Sequence, residues 1–353
     1  MSTLKRITSS AMFTPLLVLA LIVLFNLIVQ PGIFSFSINE AGNLSGGLMQ
    51  ILLRSVPVML LAMGMTLVIA TGGVDLSVGS VLAIGSAVAL SLIRGDTVSP
   101  TADTAMALWI VVILTMAVGI ICGLWNGFLV AKIGIPPIVA TLIFMVAGRG
   151  LTQVITRERS ITTGHLPFGE IANGFTFGIQ NPIWIAFIIF MLFWFFTRKT
   201  AFGLFIESTG INNSAAKHSG IKSSRILLII YAISGLCASI AGILSASNIM
   251  AIQPARAGED MELDAILAVV LGGTNMKGGK FNLGGTVVGA IILDLLPRTM
   301  TFIGVGIQYT MFIKAVVIVL IVLIQSPTTS RFVGSLFKRK TPDKREVEVN
   351  ETV

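Results

Sequence analysis

The chain has few charged residues. Asp, Glu, Lys and Arg make up 11% of its 353 residues, whereas an average soluble domain has about 25%. So few charges cannot cover a globular surface with solvated groups, while 54% of the residues are hydrophobic and the mean hydropathy is +0.93. The composition excludes an ordinary cytoplasmic enzyme, a disordered protein and a nucleic-acid binder. The net charge of +8 comes mostly from short loops and a tail, which is typical of a membrane protein.

Cysteine and histidine are also scarce. Cys122 and Cys237 both lie in apolar runs and predict neither a disulfide nor a metal site. His165 and His218 fall on opposite sides of the membrane in the topology given below, so they cannot share a metal. No HExxH or GxSxG motif is present. We therefore expect no catalytic site, no cofactor and no metal in this chain.

A phosphate-binding loop is missing as well. The motif GxxxxGK[ST] holds phosphates on its backbone amides, and the nearest stretch is 272–281, GGTNMKGGKF. Thr274 stands where the first glycine is required, and Phe281 stands where the hydroxyl residue is required. We expect that this chain does not hydrolyse ATP.

Long apolar runs, in contrast, are abundant. Backbone polar groups in lipid must bond within their own segment, so such runs form helices, and a span needs about 20 residues. We predict an all-α, polytopic membrane helix bundle with about ten transmembrane helices. The runs are 13–29, 49–71, 77–93, 105–131, 135–155, 182–197, 226–248, 262–275, 282–303 and 307–325. The runs 182–197 and 262–275 are short, and either extend into flanking polar residues or are broken or re-entrant segments.

Lysine and arginine predict the orientation. With ten spans and the N-terminus inside, sixteen basic residues fall in inside segments and six in outside segments or outer span ends. The positive-inside rule then puts both termini in the cytoplasm. The predicted parts are a cytoplasmic N-terminus at 1–12, a transmembrane domain at 13–325 and a cytoplasmic tail at 326–353, with 198–225 as the largest cytoplasmic loop.

Small residues recur at helical spacing. Gly119, Gly123 and Gly127 repeat every four residues, which lets helix backbones approach closely in a bilayer. Two glycine-rich turns, at 72–79 and 272–279, also follow similar apolar sequences. They hint at an internal duplication, which is common in transporters.

Three ionisable residues lie inside predicted spans, where such residues are functional candidates by default. Asp294 and Arg298 are four positions apart, so they share a helix face and can pair. They are interpreted as a structural ion pair, a proton relay or part of a solute pathway. Lys314 has no partner nearby in the sequence and must face protein or water. Asp75, just before an apolar run, is interpreted as a helix N-cap or as a contact to a partner or pathway.

Four stretches together resemble a known family. They are 64–80 (GMTLVIATGGVDLSVGS), 123–127 (GLWNG), 135–142 (IPPIVATL) and 263–273 (LDAILAVVLGG). In this order they are similar to the permease subunits of bacterial ABC monosaccharide importers of the ribose/xylose/galactose type. The loop residues 197–217 look most like those of galactofuranose-importer permeases.

The resemblance implies a permease subunit that moves a monosaccharide from periplasm to cytoplasm by alternating access. The sugar would be a pentose or hexose, with galactofuranose and arabinose among the candidates. The implied partners are a cytoplasmic ABC ATPase that holds ATP and Mg²⁺, a second permease (a sister chain or a second copy), a periplasmic sugar-binding protein and membrane lipid, but no nucleic acid. The implied location is the bacterial inner (cell) membrane, in a multi-pass arrangement.

The resemblance also implies that the inner loop carries a coupling helix that docks on the ATPase; the alternative is a helix lying on lipid headgroups. The residues expected to couple are Gly203, Glu207, Gly210, Asn212, Ala215, Ala216 and Gly220. The pathway or gating candidates are Asp75, Asn126, Thr141, Asp294, Arg298 and Lys314. Asn126 either bonds a sugar hydroxyl or ties helices together. Because the four tryptophans and two tyrosines are scattered, we expect no tight sugar site. The alternative function is a proton- or sodium-coupled secondary transporter.

Overall fold

Helices dominate the structure, as the apolar runs predict. The computed structural model describes residues 12–29, 31–40, 42–94 and 106–325. The predicted tail at 326–353 and nearly all of the predicted N-terminal segment lie outside the described residues.

Ten helices coincide with the ten apolar runs. They are α1 (Phe13–Val29), α2 (Gly47–Ala70), α3 (Val78–Arg94), α4 (Leu108–Phe128), α5 (Pro137–Thr156), α7 (Asn181–Lys199), α10 (Ser223–Ile249), α11 (Met261–Leu271), α12 (Leu283–Phe302) and α13 (Ile307–Gln325). A π-helical turn, Leu129–Ile133, extends α4. Six of these, α2, extended α4, α5, α7, α10 and α12, are long and apolar enough to cross a membrane. The coarse prediction of a polytopic helix bundle is thus confirmed.

The connections contain short elements. The described helices among them are α6 (Leu166–Asn173), α8 (Ala201–Ile211) and α9 (Asn213–His218), with a 3-10 turn at Pro31–Phe34. Three antiparallel strand pairs join β1 (Ser37–Ile38) to β2 (Leu44–Ser45), β3 (Ile161–Thr162) to β6 (Ala251–Ile252), and β4 (Phe175–Thr176) to β5 (Ile179–Gln180). All these strands have two residues each, so the fold class is unaffected.

The two short runs turn out differently from each other. The run 182–197 extends into flanking polar residues and forms the 19-residue helix α7. The run 262–275 instead ends its helix at Leu271, so α11 has only 11 residues, too few to cross a bilayer at 1.5 Å per residue.

Helix α10 lies at the centre and packs on α2, α3 and α4. The glycine repeat on α4 explains how closely it approaches. A methyl group on Gly119 or Gly123 would overlap the backbone of α10 at Gly235 or Tyr231, so only glycine allows this separation. The small-residue spacing therefore predicts a real close contact between helices.

Helices α3 and α11 both begin inside the bundle. Asp75, just before α3, bonds to Ser234, which lies 11 residues into α10 and thus about 16 Å along it. Gly79, in the first turn of α3, packs directly on Gly258 and Glu262 at the start of α11. The chain therefore enters the bundle from opposite ends, through the segment 71–77 before α3 and the segment 253–260 before α11. The N-termini of α3 and α11 meet within the protein.

Candidate functional site

A buried carboxylate connects the first glycine-rich turn to the central helix. Asp75 is 1% exposed. Its Oδ1 accepts hydrogen bonds from the Ser77 amide at 3.0 Å and the Ser77 hydroxyl at 2.6 Å, and its Oδ2 accepts one from the Ser234 hydroxyl at 2.8 Å. The interpretation of Asp75 as a helix N-cap is therefore wrong. The amide that Asp75 binds belongs to Ser77, the residue before α3, and not to one of the free amides in the first turn of the helix. Asp75 fixes the turn to α10.

Two further predicted candidates meet at this turn. The Asn126 side-chain amide on α4 donates to the Ser77 hydroxyl at 2.7 Å. The Thr141 hydroxyl on α5 donates to the Pro137 carbonyl at 2.8 Å and lies 3.3 Å from the Val74 carbonyl. Residues from α4, α5 and α10 therefore surround one segment, 71–77. Of the two interpretations of Asn126, this contact supports the tie between helices.

Some polar atoms in this cluster have no bonding partner. The Asn126 Oδ1 and the Tyr231 hydroxyl are buried without a hydrogen-bond partner among the described residues. Tyr231 is fully buried, and a methyl group on Gly73 would come within 3.0 Å of its hydroxyl. Buried polar groups are normally paired, so these two atoms leave unused hydrogen-bonding capacity beside the segment 71–77.

A second polar pair joins α5 to the start of α11. The Arg149 guanidinium donates to Glu262 Oε1 at 3.0 Å, and Glu262 is 4% exposed. Its Oε2 packs on Gly79 without a hydrogen-bond partner among the described residues. This carboxylate therefore lies where the N-termini of α3 and α11 meet, which is a favourable position for negative charge.

The predicted membrane charges form two pairs at a different place. Arg298 Nε lies 3.7 Å from Asp294 Oδ2, close enough for an ion pair but too far for a hydrogen bond. Lys314 Nζ donates to Asp264 Oδ1 at 2.6 Å, which links α13 to α11. The structure therefore does not bring these residues together with Asp75, Asn126 and Thr141.

Gly210 of the inner loop lies against both glycine-rich turns. A methyl group on Gly210 would overlap the Ala70 carbonyl oxygen and come within 2.6 Å of the Gly279 amide nitrogen. These two groups are hydrogen-bonded to each other at 2.8 Å. Gly278 in turn packs on Gly72 and on the Gly210 carbonyl. The C-terminal end of α8 therefore contacts both the C-terminal end of α2 and the turn after α11.

Two other predicted loop residues have local structural roles. Gly203 packs on the backbone of Thr197, and no side chain fits there. Asn212 caps α9, because its Oδ1 accepts a hydrogen bond from the Ala215 amide at 3.0 Å. These contacts fix the bend between α7, α8 and α9.

The remaining loop residues differ in exposure. Ala216 is buried, Glu207 is half-buried, and Ala215 and Gly220 are exposed. Leu204 and Ile211 on α8 are 64% and 72% exposed. Exposed apolar residues beside the Gly210 contact suit either a protein partner or lipid.

Sequence reasoning missed several residues of these clusters. Nothing in the sequence marks Ser234 as a functional residue, since serines are common in apolar membrane helices. Glu262 and Asp264 lie at the edge of the run 262–275, and acidic residues in an apolar run are the signal that would have found them. Among the described residues, no group of three or more His, Cys, Asp or Glu side chains could hold a metal ion.

Comparison with known proteins identifies the family. Residues 47–322 match the family model described as "Branched-chain amino acid transport system / permease component". The chain is 42% identical over 329 residues to the galactofuranose transporter permease protein of Escherichia coli, covering 93% of each protein. It is 39% identical over 341 residues to the fructose import permease protein of Bifidobacterium longum, covering 95% of this chain and 93% of the relative.

A third relative extends the similarity. The chain is 41% identical over 271 residues to the ribose import permease protein of Escherichia coli, covering 76% of this chain and 81% of the relative. No solved structure matches the chain significantly. Because the family model matches residues 47–322, well over half of the chain, this protein belongs to the branched-chain amino acid transport system / permease component family and is a multi-pass membrane transport subunit, not an enzyme.

Proposed function

We propose that the chain is the transmembrane permease subunit of an ATP-driven ABC importer that brings a monosaccharide into the bacterial cytoplasm. The observation that carries this proposal is the 39–42% identity to permeases for fructose, galactofuranose and ribose over most of the chain. These relatives are named for different monosaccharides, so the substrate class is a pentose or hexose.

The proposed topology has ten membrane-crossing segments and both termini in the cytoplasm of the cell. In one of these segments the short helix α11 crosses together with the non-helical residues 253–260 before it. The coincidence of ten helices with ten apolar runs supports this number. The excess of basic residues in the predicted inside segments supports the orientation. In this topology the membrane domain is 13–325, the coupling loop is 198–225, and 1–12 and 326–353 are cytoplasmic.

The proposed machine includes three kinds of partner. A cytoplasmic ABC ATPase binds ATP and Mg²⁺, since this chain has no phosphate-binding loop. A second permease, either a sister chain or another copy, completes the membrane part. A periplasmic sugar-binding protein delivers the substrate. The exposed apolar residues Leu204 and Ile211 beside Gly210 support a docking role for α8.

The proposed mechanism transmits movement from the loop to the membrane interior. When the ATPase dimer closes, α8 moves against the Ala70 carbonyl and the turn at Gly279. This displaces the segment 71–77, whose position depends on the hydrogen bonds of Asp75. Helix α3 moves with this segment. The place where the N-termini of α3 and α11 meet then opens either to the periplasm or to the cytoplasm. Asp75, Asn126 and Thr141 then act as gating residues that fix this segment.

The alternative transporter driven by protons or sodium needs an ionisable residue that changes its protonation or binds a cation. Each membrane charge that the sequence predicted for this task already has an oppositely charged neighbour: Arg298 has Asp294, and Lys314 has Asp264. Such pairing supports a structural role for them.

Purification from native membranes tests the proposal. We expect an ATPase carrying GxxxxGK[ST] motifs to co-purify with the chain, and Gly210→Pro to abolish sugar-stimulated ATP hydrolysis while the chain still inserts. If no ATPase co-purifies and the variant transports normally, the proposal is wrong.

A further inference from the structure

An open cavity lies at the end of the molecule away from the inner loop, and none of the residues that line it belongs to the clusters above. Its volume is about 450 Å³, within the range of about 300–1,000 Å³ that is usual for small-molecule sites. It opens between the C-terminal end of α5 and the segment that leads into α11. The lining residues are Gln153, Glu158, Ser160, Gln253, Pro254, Ala255 and Arg256.

The strand pair β3–β6 fixes the two walls relative to each other. Ile161 pairs with Ile252 in this ribbon. The next residues outward, Ser160 and Gln253, therefore lie side by side at the ribbon's end, and both line the cavity. The cavity is thus built by paired backbone rather than by the chance position of surface side chains.

Helix α5 ends beside the cavity in a left-handed turn. Glu158 and the preceding Arg157 both have left-handed backbone angles, φ 57° and 53°. Asp260, at the end of the opposite wall, has φ 60°. At Arg157 this angle forms the C-cap of α5, a common way for a helix to end. The turn at 157–158 brings the Glu158 amide to the Gln153 carbonyl at 2.8 Å, which holds these two lining residues together.

The chemistry of the lining suits a neutral solute rich in hydroxyl groups. Two amides, a carboxylate, a guanidinium and a hydroxyl offer both donors and acceptors. One acidic and one basic residue balance each other, so the lining favours neither anions nor cations. No aromatic residue is among the lining residues, so binding lacks a stacking platform and is weak enough to release a solute in transit.

An ion pair lies next to the cavity. Arg149 is one helical turn before Gln153 on α5, on the same face, and its ion pair with Glu262 joins α5 to α11. The two walls are therefore joined by an ion pair one turn deeper than the cavity.

We infer that this cavity is a monosaccharide contact site, where the sugar enters the membrane part after it leaves the binding protein. This inference rests on the proposed function, since that function makes this end of the molecule periplasmic and the solute a sugar.

The test uses the complete importer in proteoliposomes, with radiolabelled D-ribose, D-fructose and D-galactose as probes and with loaded binding protein in excess. Gln153→Leu and Gln253→Leu each remove an amide from the lining. We expect each to lower the maximal import rate about fivefold to tenfold, the effect of one or two hydrogen bonds. The concentration of binding protein that gives half the maximal rate should not change.

Two further variants control for folding and for position. Gln180→Leu removes the same amide from β5, outside the cavity lining, and should import at the wild-type rate. Gln253→Asn keeps an amide and should retain more activity than Gln253→Leu. All rates are compared at equal amounts of reconstituted protein.

Two outcomes would overturn the inference while leaving the proposed function intact. One is an unchanged maximal rate in both leucine variants. The other is a raised half-saturating concentration of binding protein at an unchanged maximal rate, which would make the cavity a docking surface for that protein. If the wild-type complex imports no pentose or hexose, or imports one without its ATPase, the proposed function itself fails and the inference with it.

Discussion

The Ser234 hydroxyl donates a hydrogen bond of 2.8 Å to Asp75 across 159 positions of sequence. This bond joins the central helix α10 to the segment before α3. It is one of three hydrogen bonds to a carboxylate that is 1% exposed, so its loss leaves a buried acceptor short of a partner.

Ser234→Ala should therefore destabilise the protein. We expect the free energy of unfolding in detergent to fall by about 2 kcal/mol, as for a hydrogen bond to a charged group. Cys122 and Cys237 are both buried and free, so a thiol-reactive fluorescent dye reports thermal unfolding. Ser208→Ala is the matched control, because that hydroxyl donates only to the Leu204 carbonyl of its own helix. Equal unfolding midpoints for the two variants would contradict the role assigned to this bond.

Gly210→Ala should uncouple the inner loop from the membrane helices. The added methyl group overlaps the Ala70 carbonyl, and overpacking of this kind costs about 1–3 kcal/mol. We expect sugar import and sugar-stimulated ATP hydrolysis by the complete importer to fall several-fold. Gly150→Ala on α5 is the control, since its methyl group meets nothing within 4 Å. If both variants import equally at equal membrane levels, α8 does not transmit movement through this contact.

The Asp264–Lys314 pair should behave as a structural pair. Removing one partner leaves a half-buried charge alone, whereas removing both leaves none. We expect Lys314→Met or Asp264→Asn alone to lower the unfolding midpoint more than the double variant does. The double variant should also import sugar with ATP. A double variant that is folded but inactive would instead indicate that these charges take part in transport.

Much of the fold could be predicted from the sequence, because the apolar runs are long and the solvent is lipid. The run 226–248 predicts α10 to within a few residues, and the Gly119–Gly123 spacing predicts its close contact with α4. The extent of α11 could not be predicted, because residues 272–275 are small or polar residues that fit either a helix or a turn. In the structure Gly273 adopts a left-handed φ of 82°, and such a glycine ends a helix.

The site was predictable in part. Asp75, Asn126 and Thr141 were identified as candidates, but their meeting at one segment depends on contacts between distant parts of the chain. The partner of Lys314 lies 50 positions away, and that of Arg149 lies 113 positions away. Local patterns carry no information about such pairs, whereas the spacing of Asp294 and Arg298 on one helix predicts their contact directly.

The account treats this chain as a conduit that a separate ATPase drives, and transport by defined components tests this most directly. Accumulation of radiolabelled sugar against its gradient is measured in proteoliposomes, with the permease alone under a proton or sodium gradient, and with the ATPase, the second permease, the binding protein and ATP. We predict accumulation only in the complete system with ATP. Accumulation by the permease alone, driven by the ion gradient, would contradict the account.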